Sequence, residues 1–217
     1  MRFAFLLAAA SLATLAACGG SDAPFQDDTA LKARIDAAAA QYDRVSGLNP
    51  TAIDRMPTSG SATFRGQAGL GVYRGVPTGD PDYSMIGSST VTADFARSRV
   101  TGKIDNLQGF STIGRTGFTV PVTGSVTLGG NQSAIGDNPR TATREAANVF
   151  SSDFDASITV DGNLLRSRGG VSGRFAGNRV KSSPLPAPVG VIATGVGSAT
   201  LDGEPATFGF DLYGSVK

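Results

Sequence analysis

From Gly60 to the end of the chain, apolar or small residues alternate with polar residues at a period of two. In the first run, Ala62, Phe64, Leu70 and Val72 share one parity, and polar residues dominate the other. Successive side chains of a β-strand point to opposite faces, so this alternation predicts strands with one buried face. About eight such runs follow one another, at 62–72, 91–95, 100–104, 118–128, 154–160, 171–175, 191–201 and 206–216.

The order of these runs predicts an all-β fold, an up-and-down antiparallel β-barrel of about eight strands over residues 60–217. Asp161-Gly162 and Asp202-Gly203 are dipeptides typical of tight turns between strands. Phe alternates with Gly and Ala along the apolar faces, which indicates a filled interior rather than a lined cavity. A β-sandwich is the alternative fold. A transmembrane barrel is disfavoured, because such barrels have girdles of aromatic residues at both membrane interfaces. This chain has no Trp and only 4 Tyr to form them.

Ahead of the barrel, residues 29–46 are predicted to form one short α-helix. Leu31, Ile35, Tyr42 and Val45 recur at helical spacing, and Gly47 follows as a natural helix terminator. Such a helix has one apolar stripe to bury. We expect it to pack over an end or an edge of the barrel, and a partner-binding helix is the alternative.

The first 17 residues have the features of a secretory signal peptide. Arg2 precedes an apolar run that ends at Leu15, and Ala16-Ala17-Cys18 follows. This ending resembles the bacterial lipobox, and the resemblance implies that Cys18 is acylated and becomes the first residue of the mature protein. Residues 18–28 would then be the lipidated cysteine and a flexible tether. The alternative is an ordinary secreted protein that keeps a free thiol.

Composition excludes several functional classes. The chain has no His and a single Cys, so the side chains that ordinarily build zinc sites, serine-protease triads and thiol catalysis are missing or already used. Removal of residues 1–17 takes away one basic residue, Arg2, and leaves 18 basic and 18 acidic residues. A neutral chain of this kind gives no indication of nucleic-acid binding. We therefore expect a protein that is not an enzyme and has no nucleic-acid partner.

Several strand segments are similar to the transferrin-binding protein B-like β-barrel domain. Val91-Thr92-Ala93-Asp94-Phe95 with Val100-Thr101-Gly102-Lys103-Ile104 resembles a strand-turn-strand signature of that family. Gly60 to Gly66, Gly173 to Gly177 and Phe208 to Gly214 resemble its opening, Gly-x-Phe-x-Gly and closing elements. The resemblance covers residues 60–217. After Gly177 the chain departs from it, since Asn178-Arg179-Val180-Lys181 replaces the family's acidic residue and Gly pair.

This resemblance implies an outer-membrane lipoprotein that is lipid-anchored through Cys18. It favours a location on the cell surface over an orientation towards the periplasm. Members of the family include proteins that capture host iron proteins or haem proteins. The resemblance therefore predicts capture of a protein or an iron- or haem-bearing ligand through the loops. A structural envelope lipoprotein without a dedicated ligand and a lipocalin-like small-molecule carrier are the alternatives.

The longer connections, at 74–84, 129–152 and 178–190, are where binding residues are expected. We predict ligand contacts from Tyr73, Arg74, Tyr83, Arg179 and Lys181. Between Asp161 and Asp202 the chain has five basic residues and no acidic one. This basic run is either a site for an acidic partner or a solvated face balanced by Asp residues elsewhere in space.

No cofactor, catalytic residue or metal site is predicted. Asp153, Asp155 and Asp161 lack the looped ligand spacing of a calcium site. Haem would need a ligand other than His. The residues available for that role are Tyr42, Tyr73, Tyr83, Tyr213, Met56 and Met85.

Overall fold

The structure is a computed structural model. It describes residues 29–75, 77, 79–111, 118–138, 143–144, 146–178 and 188–216. The helices are α1 (Thr29–Ser46) and a 3-10 turn (Ile53–Arg55). The strands are β1 (Ser61–Arg74), β2 (Tyr83–Asp94), β3 (Arg99–Ser111), β4 (Phe118–Val120), β5 (Val122–Ile135), β6 (Asp137–Asn138), β7 (Thr143–Arg144), β8 (Val149–Val160), β9 (Asn163–Ala176), β10 (Gly190–Leu201) and β11 (Glu204–Ser215).

The long strands close into a barrel. Each of β1, β2, β3, β5, β8, β9, β10 and β11 pairs antiparallel with its neighbour in this order, and β11 pairs with β1. Within the described residues this is an eight-stranded up-and-down barrel, so the predicted fold is confirmed and the sandwich alternative is wrong. The short strand β4 comes just before β5 in the chain. It pairs with the end of β3, and β5 pairs with the middle of β3. The pair β6 and β7 forms a separate two-stranded ribbon.

The Asp-Gly dipeptides make the tight turns that the sequence predicts. Asp161 and Gly162 have φ of 52° and 79°, and Asp202 and Gly203 have φ of 52° and 88°. Two successive residues with positive φ match the right-handed twist of the flanking strands, as in type I′ hairpins. These turns join β8 to β9 and β10 to β11 at one end of the barrel. We call this the hairpin end, and it also holds the β1–β2 loop of residues 75–82.

Side chains fill the barrel interior, as predicted. Phe175 is fully buried, and its ring centroid lies 5.9, 5.7 and 5.3 Å from those of Phe64, Phe95 and Phe150. Glycines leave room for the rings, because a Cβ at Gly195 would lie 2.2 Å from the ring of Phe210. Large and small residues therefore interdigitate across the core. A second aromatic cluster consists of Phe154, Phe208 and Phe210.

Helix α1 has the bounds predicted from sequence and lies across the outer wall of the barrel. The Arg34 guanidinium donates hydrogen bonds to Ser88 Oγ and Gln108 Oε1, both at 3.2 Å. Further along the helix, Tyr42 packs edge-on against Tyr213 of β11, with ring centroids 4.7 Å apart. These contacts place α1 on the wall rather than over an end, and Leu31 and Val45 of its apolar stripe are buried. No described helix is long and apolar enough to cross a membrane.

Candidate functional site

Two of the predicted ligand contacts lie together at the end of β1. Tyr73 is partly buried on the outer face of the strand, and Arg74 is exposed. The Arg74 backbone N–H donates to Asp82 Oδ2 at 2.6 Å, which holds the two sides of the β1–β2 loop together. The structure therefore places Tyr73 and Arg74 at the end of β1, beside the β1–β2 loop.

Tyr83 does not lie in that loop. It is the first residue of β2, its side chain is 2% exposed, and it belongs to the core. Asn163 Nδ2 donates to its hydroxyl at 3.3 Å. Burial raises the pKa of this hydroxyl. The placement of Tyr83 in an open loop was wrong, because its ring gains more from the apolar interior than from solvent while Asn163 satisfies the hydroxyl.

The remaining predicted residues stay predictions, because the structure does not describe them. Cys18, Arg179 and Lys181 lie outside the described residues. The strand ends that flank Arg179 and Lys181 are Ala176 and Gly190, which pair at the end of the barrel opposite Arg74. These two strand ends therefore lie far from the β1–β2 loop.

An open groove of about 250 Å³ lies between the β1–β2 loop and the outer wall formed by β1, β11, β10 and β9. We call this the outer groove. Its rim includes Pro77 and Gly79 of the loop, and its wall residues are Gly71, Tyr73, Gly170, Ser172, Thr194, Gly195, Val196, Thr207, Gly209, Phe210 and Asp211. The predicted contact Tyr73 thus lies in a concave surface that four strands and one loop build together.

Missing side chains create the floor of the outer groove. Gly71, Gly170, Gly195 and Gly209 are the lining positions on the strands where the wall is bare backbone. A Cβ at Gly71 would lie 3.4 Å from Pro81 Cβ, so the loop packs directly on this glycine. A Cβ at Gly209 would meet a single neighbour, the carbonyl oxygen of Gly195, at 3.4 Å. The wall beneath the groove is therefore open for a ligand to lie against.

One end of the outer groove is acidic. The Thr194 hydroxyl donates to Asp211 Oδ1 at 2.5 Å, and burial raises the pKa of Asp211 above its ordinary value. Burial also raises the pKa of Tyr73, and the charges of Asp80 and Asp211 raise it further. The Tyr73 hydroxyl is therefore close enough to the Asp80 and Asp211 carboxylates to be affected by their negative charges. The described lining residues include no Lys or Arg.

Replacement of Asp211 by Asn is expected to stabilise the fold at neutral pH. Burial raises the folded-state pKa above the unfolded one, so the folded protein binds more protons in the interval between the two. The stability that this group contributes is complete below its unfolded pKa and is lost as pH rises through its folded pKa. Thermal melts of Asp211→Asn at pH 7 should give a higher Tm than the unmodified protein. The gain should shrink as the pH falls toward 4, and a gain independent of pH would contradict this account.

The basic run is partly neutralised. Arg166, Arg168 and Arg174 extend outward from β9, and Arg168 Nε lies 2.7 Å from Asp155 Oδ2 of β8. This pair supports the interpretation of a solvated face with balancing Asp residues. No group of three or more acidic or Cys side chains in the described part of the chain could hold a metal ion.

Of the tyrosines considered as haem ligands, Tyr73 faces the outer groove, whereas Tyr83 is in the core. Tyr42 and Tyr213 pack against each other where α1 crosses the wall. Met85 is 3% exposed and also belongs to the core. The geometry thus leaves Tyr73 as the tyrosine in an open concave surface.

Sequence reasoning missed Asp211, Thr194 and Val196, which complete the outer groove. Each lies on the polar parity of a strand, where an outward residue is the ordinary expectation. The acidic residue within the run Phe208-Gly209-Phe210-Asp211-Leu212 was the one available signal. No protein-family model matches this chain, and no characterised protein matches it either.

Proposed function

We propose that the protein is a lipid-anchored binding protein of the bacterial outer membrane that takes its ligand in the outer groove. The observation that carries this proposal is the contrast between a filled interior and an open, concave outer wall. Ligand sites are usually concave and mostly apolar, with a few polar groups that fix orientation. The outer groove has this character, with Tyr73, Thr194 and Asp211 as its polar groups.

The filled interior weighs against the lipocalin-like carrier. Such a carrier needs a cup within the barrel, and here large aromatic rings from several strands meet in that space. A ligand held outside the barrel does not need the core to open. Binding on the wall therefore fits this chain better than binding inside it.

The lipid anchor and the cell-surface location are part of the same proposal. They are supported by the lipobox-like Ala16-Ala17-Cys18 and by the resemblance of the strands to the transferrin-binding protein B-like domain. The resemblance also suggests the partner class, a protein that carries iron or haem. With no His in the chain, we propose that the barrel contacts the carrier protein itself rather than ligating the metal.

Filling the outer groove tests this function. Gly209→Leu should be tolerated, because the new Cβ meets only the Gly195 carbonyl oxygen at 3.4 Å, and its side chain should occupy the groove. Thr127→Leu is the matched control, since Thr127 is exposed on β5, on the opposite wall of the barrel. The purified proteins are compared for retention of a panel of purified iron-carrying and haem-carrying serum proteins.

We expect one panel member to be retained by the unmodified protein and by Thr127→Leu, with at least a tenfold weaker affinity for Gly209→Leu. Equal thermal stability of the two variants would show that the barrel is intact in both. Equal retention by all three proteins would contradict binding in the outer groove. Retention by none would favour the structural envelope role instead.

A further inference from the structure

We infer that the outer groove receives an alkylammonium group and that Asp211 is its counter-ion. This inference names the ligand chemistry of the groove and so rests on the proposed function. The group would belong either to a lysine side chain of a partner protein or to a free aliphatic amine. In both cases the aliphatic chain would lie along the wall and the ammonium would face Asp211.

The described charged side chains of the outer groove are all acidic. Asp211 is among the described lining residues, Asp80 lies close enough to influence Tyr73, and none of the described lining residues is a cation. A carboxylate kept in a partly buried position without a cationic neighbour is costly unless a charge from outside compensates it. The groove is therefore complementary to a cation.

The hydrogen bonds of Asp211 favour an ammonium group over the other cations. A metal ion such as calcium takes six to eight oxygen ligands, and the described residues form no such cluster. A guanidinium binds a carboxylate best through both oxygens, but Thr194 already donates to Oδ1. An ammonium is a compact charge with three donors and needs no such fork. Carboxylate Oδ2 and the Tyr73 hydroxyl are acceptors suited to it.

The rest of the outer groove suits an aliphatic chain. Val196 is 44% exposed, an unusual position for a large apolar side chain, and it lies in the lining with Pro77 of the loop. Gly209 of β11 and Gly170 of β9 pair with Val196 on either side, so glycine backbone flanks this side chain and lets a slim chain approach closely. Methylene groups placed there would be removed from water, which favours binding.

The experiment is an NMR titration of the purified protein with n-pentylamine at pH 7, and with n-pentanol as the neutral match. We expect saturable shifts of the Val196, Gly209 and Asp211 amides, with at least tenfold tighter binding of the amine than of the alcohol. Asp211→Asn should remove this preference, so that the amine binds no more tightly than the alcohol. The control Asp43→Asn, an exposed carboxylate on α1, should keep the preference.

Three results would overturn the inference, and they bear differently on the proposed function. Equal binding of amine and alcohol would keep the outer groove as a site and remove its cation preference. If Asp211→Asn still bound the amine more tightly than the alcohol, a residue other than Asp211 would recognise the charge. Shifts from neither compound would contradict the groove itself. A parallel titration with Nα-acetyl-lysine N-methylamide separates the two sources, because a site for lysine side chains should bind it at least as tightly as pentylamine.

Discussion

Phe175→Ala is expected to lower the free energy of unfolding by about 3 to 5 kcal/mol, the range for a fully buried Phe truncated in a core. The Phe175 side chain is fully buried, and its ring meets those of Phe64, Phe95 and Phe150. Those rings come from three other segments of the barrel. Truncation therefore opens a cavity between several strands. The paired strands of the barrel wall cannot move inward to fill this cavity. Urea denaturation followed by far-UV circular dichroism measures the loss.

Phe175→Leu is the matched control, because it keeps an apolar side chain of similar reach. We expect it to lower the free energy of unfolding by less than about 1.5 kcal/mol, as apolar exchanges of similar volume do. The backbone hydrogen bonds of Phe175 with Thr51 and Asn148 are unchanged in both variants. Similar losses in the two variants would show that the ring does not fill the barrel in the way described here.

Cys18→Ser is expected to abolish lipidation completely. The unmodified protein should incorporate labelled palmitate and should begin at Cys18 with residues 1–17 removed. Each buried methylene of an acyl chain contributes about 0.8 kcal/mol to membrane binding, and stable anchoring takes more than one chain. No other thiol in the chain could carry an acyl group, since Cys18 is the single cysteine. Palmitate labelling with mass analysis of the N-terminal peptide measures the effect.

The control for this variant separates export from anchoring. Residues 1–17 are replaced by a cleavable signal sequence without a lipobox, so that the chain is exported and carries no lipid. This protein should be recovered from the soluble periplasmic fraction. Label that persists in Cys18→Ser, or a mature protein with an unmodified thiol at Cys18, would refute the anchor.

Local patterns were sufficient to predict much of the fold. The helix over residues 29–46, the Asp-Gly turns and the inward parity of most strands depend on neighbouring residues, and these predictions are confirmed. Parity fails where a strand bulges. The β2–β3 register shifts between Ile86 and Ser88, and Asn106 has a φ of 50°. Ile104 and Leu107 can therefore both point into the core although their parities differ.

The candidate site was harder to predict, because distant segments build it. Tyr73 is separated from Thr194 and Asp211 by more than 100 residues, and only the β1–β11 and β10–β11 pairings bring them to one face. Asp211 looks in sequence like any outward residue of a strand. It is partly buried in the outer groove, whose lining comes from several strands and the β1–β2 loop. Tyr83 shows the opposite error, since neighbouring turn residues suggested a loop where the strand had already begun.

We propose that the partner binds on the outer wall, in the outer groove. Binding there is tested most directly by a photo-crosslinking amino acid at position 196, compared with the same residue at position 127 on the opposite wall. Each protein is irradiated with the iron- and haem-carrier panel, and the adducts are resolved by mass. A covalent adduct from position 196 and none from position 127 is the result that this account predicts. An adduct from position 127 alone, or equal adducts from both, would contradict it.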